Sequence, residues 1–128
     1  MNINKFTQKS LEAVQKCEKL AYEYGNQQIE QEHLLYSLLT VEDSLILKLI
    51  TKMNVQKEQF LNEAAQAIEK LPKVSGGQLY ISNDLNKVLI SAEDEAKAMG
   101  DEYVSVEHLF LAMLKQPSRM VKELFRSY

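Results

Sequence analysis

The sequence predicts an all-α fold, a compact bundle of two pseudo-two-fold-related helical repeats. Three observations carry this expectation. Only four Gly and two Pro interrupt the 128 residues, which leaves room for long helices and little for a fold of many short strands. Apolar residues recur three and four positions apart through much of the chain, the period of a helix with one buried face. Above all, the chain repeats itself. When Gly25 is placed over Gly100, an offset of 75 residues, Thr7 falls on Ser82, Glu18 on Glu93, Ala21 on Ala96 and Ile29 on Val104. The same offset lays Glu32-His33-Leu34 on Glu107-His108-Leu109.

Each copy is expected to run helix, tight connection, helix, short connection, helix. In the first helix of repeat two, Ile81, Leu85, Val88, Leu89, Ala92, Ala96 and Met99 form an apolar stripe, and in repeat one Ser10, Val14, Cys17, Ala21 and Tyr24 follow the rhythm more weakly. Thr7 and Ser82 stand just before these stripes, where a hydroxyl accepts from an unpaired N–H of the first turn. Gly25 and Gly100 stand just after them, where the left-handed conformation that closes a helix costs glycine little. The second helices, through Leu34–Leu39 and Leu109–Leu114, are apolar enough to be the buried centre of each copy. Ser105 is a good N-cap for one; Glu30 is a poorer one for the other, although a carboxylate suits the positive end of a helix.

Third helices are expected at about Leu45–Lys52 and Val121–Arg126. Repeat one adds a fourth, with Phe60, Leu61, Ala64, Ala67, Ile68 and Leu71 on one face, stopped by Pro72. Residues 73–80, with Ser75-Gly76-Gly77, read as a linker. One domain over 1–128 thus divides into repeat one (6–72), linker (73–80) and repeat two (81–128). Repeat two lacks a fourth helix, which leads to the expectation of a longer parent chain. A repeat that cannot bury its own stripe packs against its twin, leaving a groove where the copies meet. Met and aromatic side chains in that groove would suit extended apolar peptides of varied sequence.

Composition narrows the function. Apolar residues at 45% and charged residues at 26% describe a globular domain. A net charge of −3 and a pI near 5.4 offer no basic face to track phosphates, so nucleic acid is not an expected partner. The single cysteine, Cys17, permits no internal disulfide and fits a reducing cytoplasm. The N-terminal MNINKFTQKS has no apolar core of a secretory signal, and no apolar run approaches the roughly 20 residues of a bilayer span. A soluble cytoplasmic domain with no membrane partner is expected.

Catalysis finds little support. His33 and His108 are the only histidines, one per copy, so a metal site would need both Glu-His pairs to converge. A histidine beside a very apolar run is more often a hydrogen-bonded packing residue, and a small metal-dependent enzyme is the lesser reading. Cys17 lies on an apolar stripe with no cation to activate it. The chain has no GxxxxGK phosphate loop and no GxGxxG, and Ser75-Gly76-Gly77 is too short to cradle phosphate. The acidic run Glu93-Asp94-Glu95 reads as a solvated face. No cofactor and no catalytic residue is expected.

The two-copy layout resembles the N-terminal repeat domain of the Clp family of ring-forming ATPases. Thr7, Gly25, Ile29 and Glu32-His33-Leu34-Leu35 match the family pattern once, and Ser82, Gly100, Val104 and Glu107-His108-Leu109-Phe110 match it again. Leu71-Pro72-Lys73-Val74-Ser75-Gly76-Gly77 and the opening Phe6-Thr7-x-Lys9-Ser10-x-Glu12-Ala13 look like the ClpB-type disaggregase branch. The resemblance implies a substrate-binding appendage of a hexameric, ATP-driven unfoldase that captures exposed apolar segments of misfolded or aggregated polypeptides. ATP and magnesium would serve modules beyond Tyr128, and the isolated domain would be a monomer. By motif match the client-binding positions are Thr7, Ser82, Asp101 and Glu107. Thr7, Ser82 and Glu107 each carry an equally live reading as a cap or a first-turn carboxylate. An adaptor-docking domain of a ClpC-type protease ATPase is the alternative, mildly favoured by Glu-His in both copies.

Overall fold

The computed structural model describes residues 3–128 and folds each repeat in the expected order. A 3-10 turn (Ile3–Lys5) leads into α1 (Gln8–Glu23), β1 (Gln28–Ile29), α2 (Gln31–Thr40), α3 (Leu45–Lys52) and α4 (Lys57–Glu69). Then follow β2 (Tyr80–Ile81), α5 (Asn83–Ala98), α6 (Val106–Lys115) and α7 (Arg119–Arg126). The 75-residue offset carries α1 onto α5 and α2 onto α6 residue for residue. Helix α7 begins one residue before the image of α3, yet its buried Val121 remains the image of buried Ile46. Among the described residues no helix is long and apolar enough to cross a membrane.

The two first helices begin and end by the same devices. Thr7 Oγ1 accepts the Ser10 N–H at 3.2 Å, and Ser82 Oγ accepts the Leu85 N–H at 3.1 Å. At the other end the Gly25 N–H donates to Tyr22 O (3.1 Å) and the Asn26 N–H to Ala21 O (2.8 Å). Gly100 donates to Lys97 O (3.0 Å) and Asp101 to Ala96 O (2.8 Å) in the same pattern. Both glycines are left-handed, with φ of 75° and 73°, as this closure requires. Nothing lies within 4 Å of where a Cβ would stand on either, so the demand for glycine is conformational and not steric.

The copies exchange their leading segments. β2, which opens repeat two, pairs in parallel with β1 of repeat one, Gln28 opposite Tyr80 and Ile29 opposite Ile81. Phe6, which opens repeat one, forms a parallel bridge with Val104 of repeat two. Accordingly the Ser82 N–H donates to Ile29 O (3.0 Å) and the Thr7 N–H to Val104 O (2.9 Å). Each first-helix cap is held by the other copy. The linker is held as well: the Val74 N–H donates to Gly25 O (2.9 Å) and the Tyr80 N–H to Gln27 O (3.1 Å).

Helices α2 and α6 form the centre, with Leu34, Leu35, Leu38 and Leu39 buried against Leu109, Phe110, Ala112 and Met113. α1 covers α2, α5 covers α6, and each central helix also reaches elements of the other copy. Cys17 belongs to this core, where burial pushes its thiol up to about 12. Two expected stripes need correction. On α1 Ser10, Cys17 and Ala21 are buried as expected and are joined by Ala13 and Leu20, while Val14 and Tyr24 are half-buried. In repeat two Ile81 and Met99 are 41% and 58% exposed, since Ile81 lies in β2 ahead of α5 and Met99 is the residue that caps its end. The acidic run is also not wholly solvated, since Glu95 Oε1 accepts from Lys115 Nζ at 2.6 Å and ties α5 to α6.

Buried side chains also join the copies with hydrogen bonds: Ser10 Oγ donates to Val104 O at 2.6 Å, and Gln31 makes three such bonds. Gln31, 1% exposed at the start of α2, donates through Nε2 to Asp84 O (3.0 Å) and Gln116 O (3.0 Å). Its Oε1 accepts the Ser118 N–H at 2.8 Å. Its image in repeat two is the apolar Val106. Replacing Gln31 by Ala leaves three backbone groups without this partner and should cost about 2 kcal/mol. Gly100→Ala should cost about 1 kcal/mol through its φ alone, and Gly100→Asn less. Equilibrium urea unfolding, with an unchanged slope, checks both.

Candidate functional site

Each Glu-His pair sits at the start of a central helix, and each histidine closes the loop before it. His33 Nδ1 accepts the Glu30 N–H (2.9 Å), and its Nε2 meets Asn26 Oδ1 (2.9 Å). His108 Nδ1 accepts the Ser105 N–H (2.9 Å), and its Nε2 meets Asp101 Oδ2 (2.8 Å). A backbone N–H aimed at Nδ1 leaves Nε2 to carry the proton of the neutral ring. Burial holds His33 down to about 4. Asn26 and Asp101 are the residues just past the two glycine closures, so the helix end itself delivers their side chains to the histidine. The poor cap expected at Glu30 is therefore made good by His33.

Ser105 Oγ also lies 2.9 Å from His108 Nδ1, which completes a Ser–His–Asp array. The same frame in repeat one holds Glu30, His33 and Asn26, with no nucleophilic hydroxyl, and both histidines are buried. A frame built twice around different chemistry is a helix-start staple. Among the described residues no three His, Cys, Asp or Glu side chains gather as metal ligands.

Of the four positions the sequence singles out, two come together. Thr7 and Glu107 line one cleft of about 380 Å³ between the starts of α1 and α6 and the α2–α3 loop. The Thr7 hydroxyl already donates to Ser10 Oγ at 2.9 Å, whereas Glu107 is exposed. Ser82 is buried at the start of α5, and Asp101 is engaged with His108. Neither reaches the cleft.

Glu107 leads from this cleft into an apolar groove of about 490 Å³ between α3 of repeat one and α6 and α7 of repeat two. Leu49, Met53, Phe110, Leu111, Leu114 and Tyr128 are in its walls, and Glu107 is its single charged lining residue. Aromatic edges brace the walls, with Phe60 against Tyr128 at 5.0 Å and Phe110 against Phe125 at 6.2 Å between ring centroids. Tyr128 also donates its hydroxyl to Glu63. Sequence reasoning located a groove between the copies but not these leucines. The signal was present: apolar residues of α6 align with those of α2 at the 75-residue offset.

The images of one another, Glu32 and Glu107, diverge. Glu32 is buried, and loss of water pushes its carboxyl up to about 7, with Glu30 and Asp84 adding repulsion against a backbone hydrogen bond that opposes the shift. Glu107 keeps its solvent and faces the groove.

The sequence matches the family described as the Clp repeat (R) N-terminal domain over residues 5–128. It is 46% identical to the chaperone protein ClpB of Porphyromonas gingivalis over 114 residues, 89% of this chain and 13% of that protein. It is 37% identical to ClpB of Nitratidesulfovibrio vulgaris over 126 residues, 94% of this chain and 15% of that protein. The chain thus spans about a seventh of the curated relatives it matches. The fold is that of the Hsp104 N-terminal domain from Candida albicans (TM-score 0.87, 20% identity, 96% of this chain and 81% of the other). It is also that of a ClpV N-domain solved in complex with a VipB peptide (TM-score 0.79, 20% identity, 97% and 79%).

Glu32 gives a pH test with a definite sign. Its raised carboxyl keeps a proton in the folded protein that the unfolded chain has already lost, so stability falls as pH rises from 4.5 through 7 and returns on acidification. Glu32→Gln should therefore be more stable than the parent by about 3 kcal/mol at pH 8. The gain should shrink steadily below pH 7 and vanish by pH 4.5, as read from urea unfolding at a series of pH values.

Proposed function

Since the chain belongs to the Clp repeat N-terminal domain family, we propose that it is the substrate-binding domain of an ATP-dependent protein disaggregase, capturing exposed apolar segments of misfolded or aggregated polypeptides in the cytoplasm. One observation carries this reading above all: the groove between the copies exposes leucines in a chain whose curated relatives are ClpB chaperones. Exposed apolar surface gathered into a groove is where a partner's apolar residues gain most. The domain binds and does not catalyse. ATP and magnesium serve the ATPase modules of a parent that assembles as a homohexamer, while the domain alone is monomeric.

Within this reading Glu107 touches the client and Thr7 borders it. Ser82 and Asp101 act from behind, Ser82 by starting α5 and Asp101 by holding His108. Docking of a dedicated adaptor drew its support from the Glu-His pairs, and that support is weaker once both histidines serve as staples.

A titration with reduced, carboxymethylated α-lactalbumin, followed by amide chemical shifts, should move resonances of Leu49, Leu111, Leu114 and Glu107. Leu49→Glu, at a half-exposed position, should weaken binding about tenfold without lowering the thermal midpoint. An absence of shifts at millimolar polypeptide overturns the proposal.

A further inference from the structure

The Thr7–Glu107 cleft has an image across the internal two-fold, and that image is filled from within. The cleft lies between the starts of α1 and α6 and the α2–α3 loop, so its image lies between the starts of α5 and α2 and the α6–α7 loop. Gln31 spans the image. From the start of α2 it donates to Asp84 O at the start of α5 and to Gln116 O in the α6–α7 loop, and it accepts the Ser118 N–H of the same loop. At the 75-residue offset Gln31, Asp84, Gln116 and Ser118 become Val106, Lys9, Val41 and Asp43, and all four line the cleft. Each of these residues has its counterpart in the chain, so the contrast owes nothing to α4.

Val106 cannot close the cleft as Gln31 closes the image. Its side chain is shorter and carries neither donor nor acceptor. Among the described residues the α2–α3 loop makes no hydrogen bond to repeat two. Its bonds stay within repeat one: the Val41 N–H donates to Ser37 O, Ser44 Oγ donates to Leu38 O, and Glu42 O accepts from Lys9 Nζ. One loop is tied across the boundary between the copies and the other is not.

We infer that Val106 selects the face of the domain that receives polypeptide. It leaves the Thr7–Glu107 cleft open to an apolar side chain of the bound segment, while Gln31 withholds the equivalent place in the other copy. This rests on the reading that the domain binds polypeptide at Thr7 and Glu107. The image shows that a single side chain suffices to fill the space, since one glutamine does so there. Leu38, Val41, Leu45 and Val106 give the open cleft its apolar lining, where an apolar side chain leaves water without losing a hydrogen bond. A carboxylate in the same place meets Glu42, Asp43 and Glu107. One position in the first turn of each central helix thus decides whether its copy is closed or working.

The test titrates reduced, carboxymethylated α-lactalbumin into the domain and three variants, followed by amide chemical shifts, with thermal unfolding to confirm that each variant is folded. Val106→Gln lengthens the side chain into the cleft. It should weaken binding about tenfold and remove the shifts of Thr7, Leu38 and Leu45. Val106→Ala leaves the cleft open and should bind within about twofold of the parent. Gln31→Val opens the image, and shifts should then appear at Ser82 and Ser118 as well. That third variant decides the matter even where Val106→Gln fails to fold. Parental affinity in folded Val106→Gln, equal weakening by Val106→Ala, or no new shifts in Gln31→Val overturns the inference and leaves polypeptide capture standing. Failure of the parent domain to bind the unfolded α-lactalbumin overturns the inference together with the reading beneath it.

Discussion

Each repeat caps its own first helix, but the cap residue itself is anchored by the other copy. The N–H of Thr7 is taken by Val104 and that of Ser82 by Ile29, each in the other copy. Val104 and Ile29 stand two residues before α6 and α2, so the exchange ties four helix starts into two crossed pairs, α1 with α6 and α5 with α2. Everything at the site follows from that tie. It sets Thr7 beside Glu107, and it crowds Glu30, Glu32 and Asp84 at the other pair, where one of them is pressed out of water. Two-residue strands are weak pairings in isolation. Here they are clamped between buried helices, and Gln31 adds three hydrogen bonds across the same boundary.

The polar groups that look reactive are used to keep this frame closed. A glycine ends the first helix, the next residue turns its Asn or Asp side chain inward, and a histidine from the following helix receives it. The histidine's other nitrogen takes a backbone N–H that the helix start would leave unpaired. One ring satisfies two loops, and in repeat one burial holds His33 down to about 4. Charge on it would remove an acceptor and place a cation in the core.

Much of this was legible in the sequence because it is local or periodic. Helix starts at Thr7 and Ser82, closures at Gly25 and Gly100 and the central helices needed only spacing and turn chemistry. The role of Gln31 was not legible. A glutamine in a first turn gives no sign of carbonyls 53 and 85 residues away. The edges of the α1 stripe were less legible for a related reason: Ser10, Cys17 and Ala21 are buried, but Ala13 and Leu20 are chosen by the neighbour they meet, and periodicity alone accepts Val14 equally well. Of the four expected contact residues, the motif match could not distinguish a side chain that faces the groove, Glu107, from one that builds its frame, Asp101.

The divergence of Glu32 from Glu107 has a consequence for how far such an architecture can depart from its own symmetry. A homodimer of one repeat obeys its two-fold axis, so the two copies of any glutamate share one environment. Joining the copies in a single polypeptide removes that obligation. One carboxyl is drawn into the interior, where burial pushes it up to about 7, while its image stays in solvent beside an apolar lining. Covalent fusion lets one inherited position live in two electrostatic worlds.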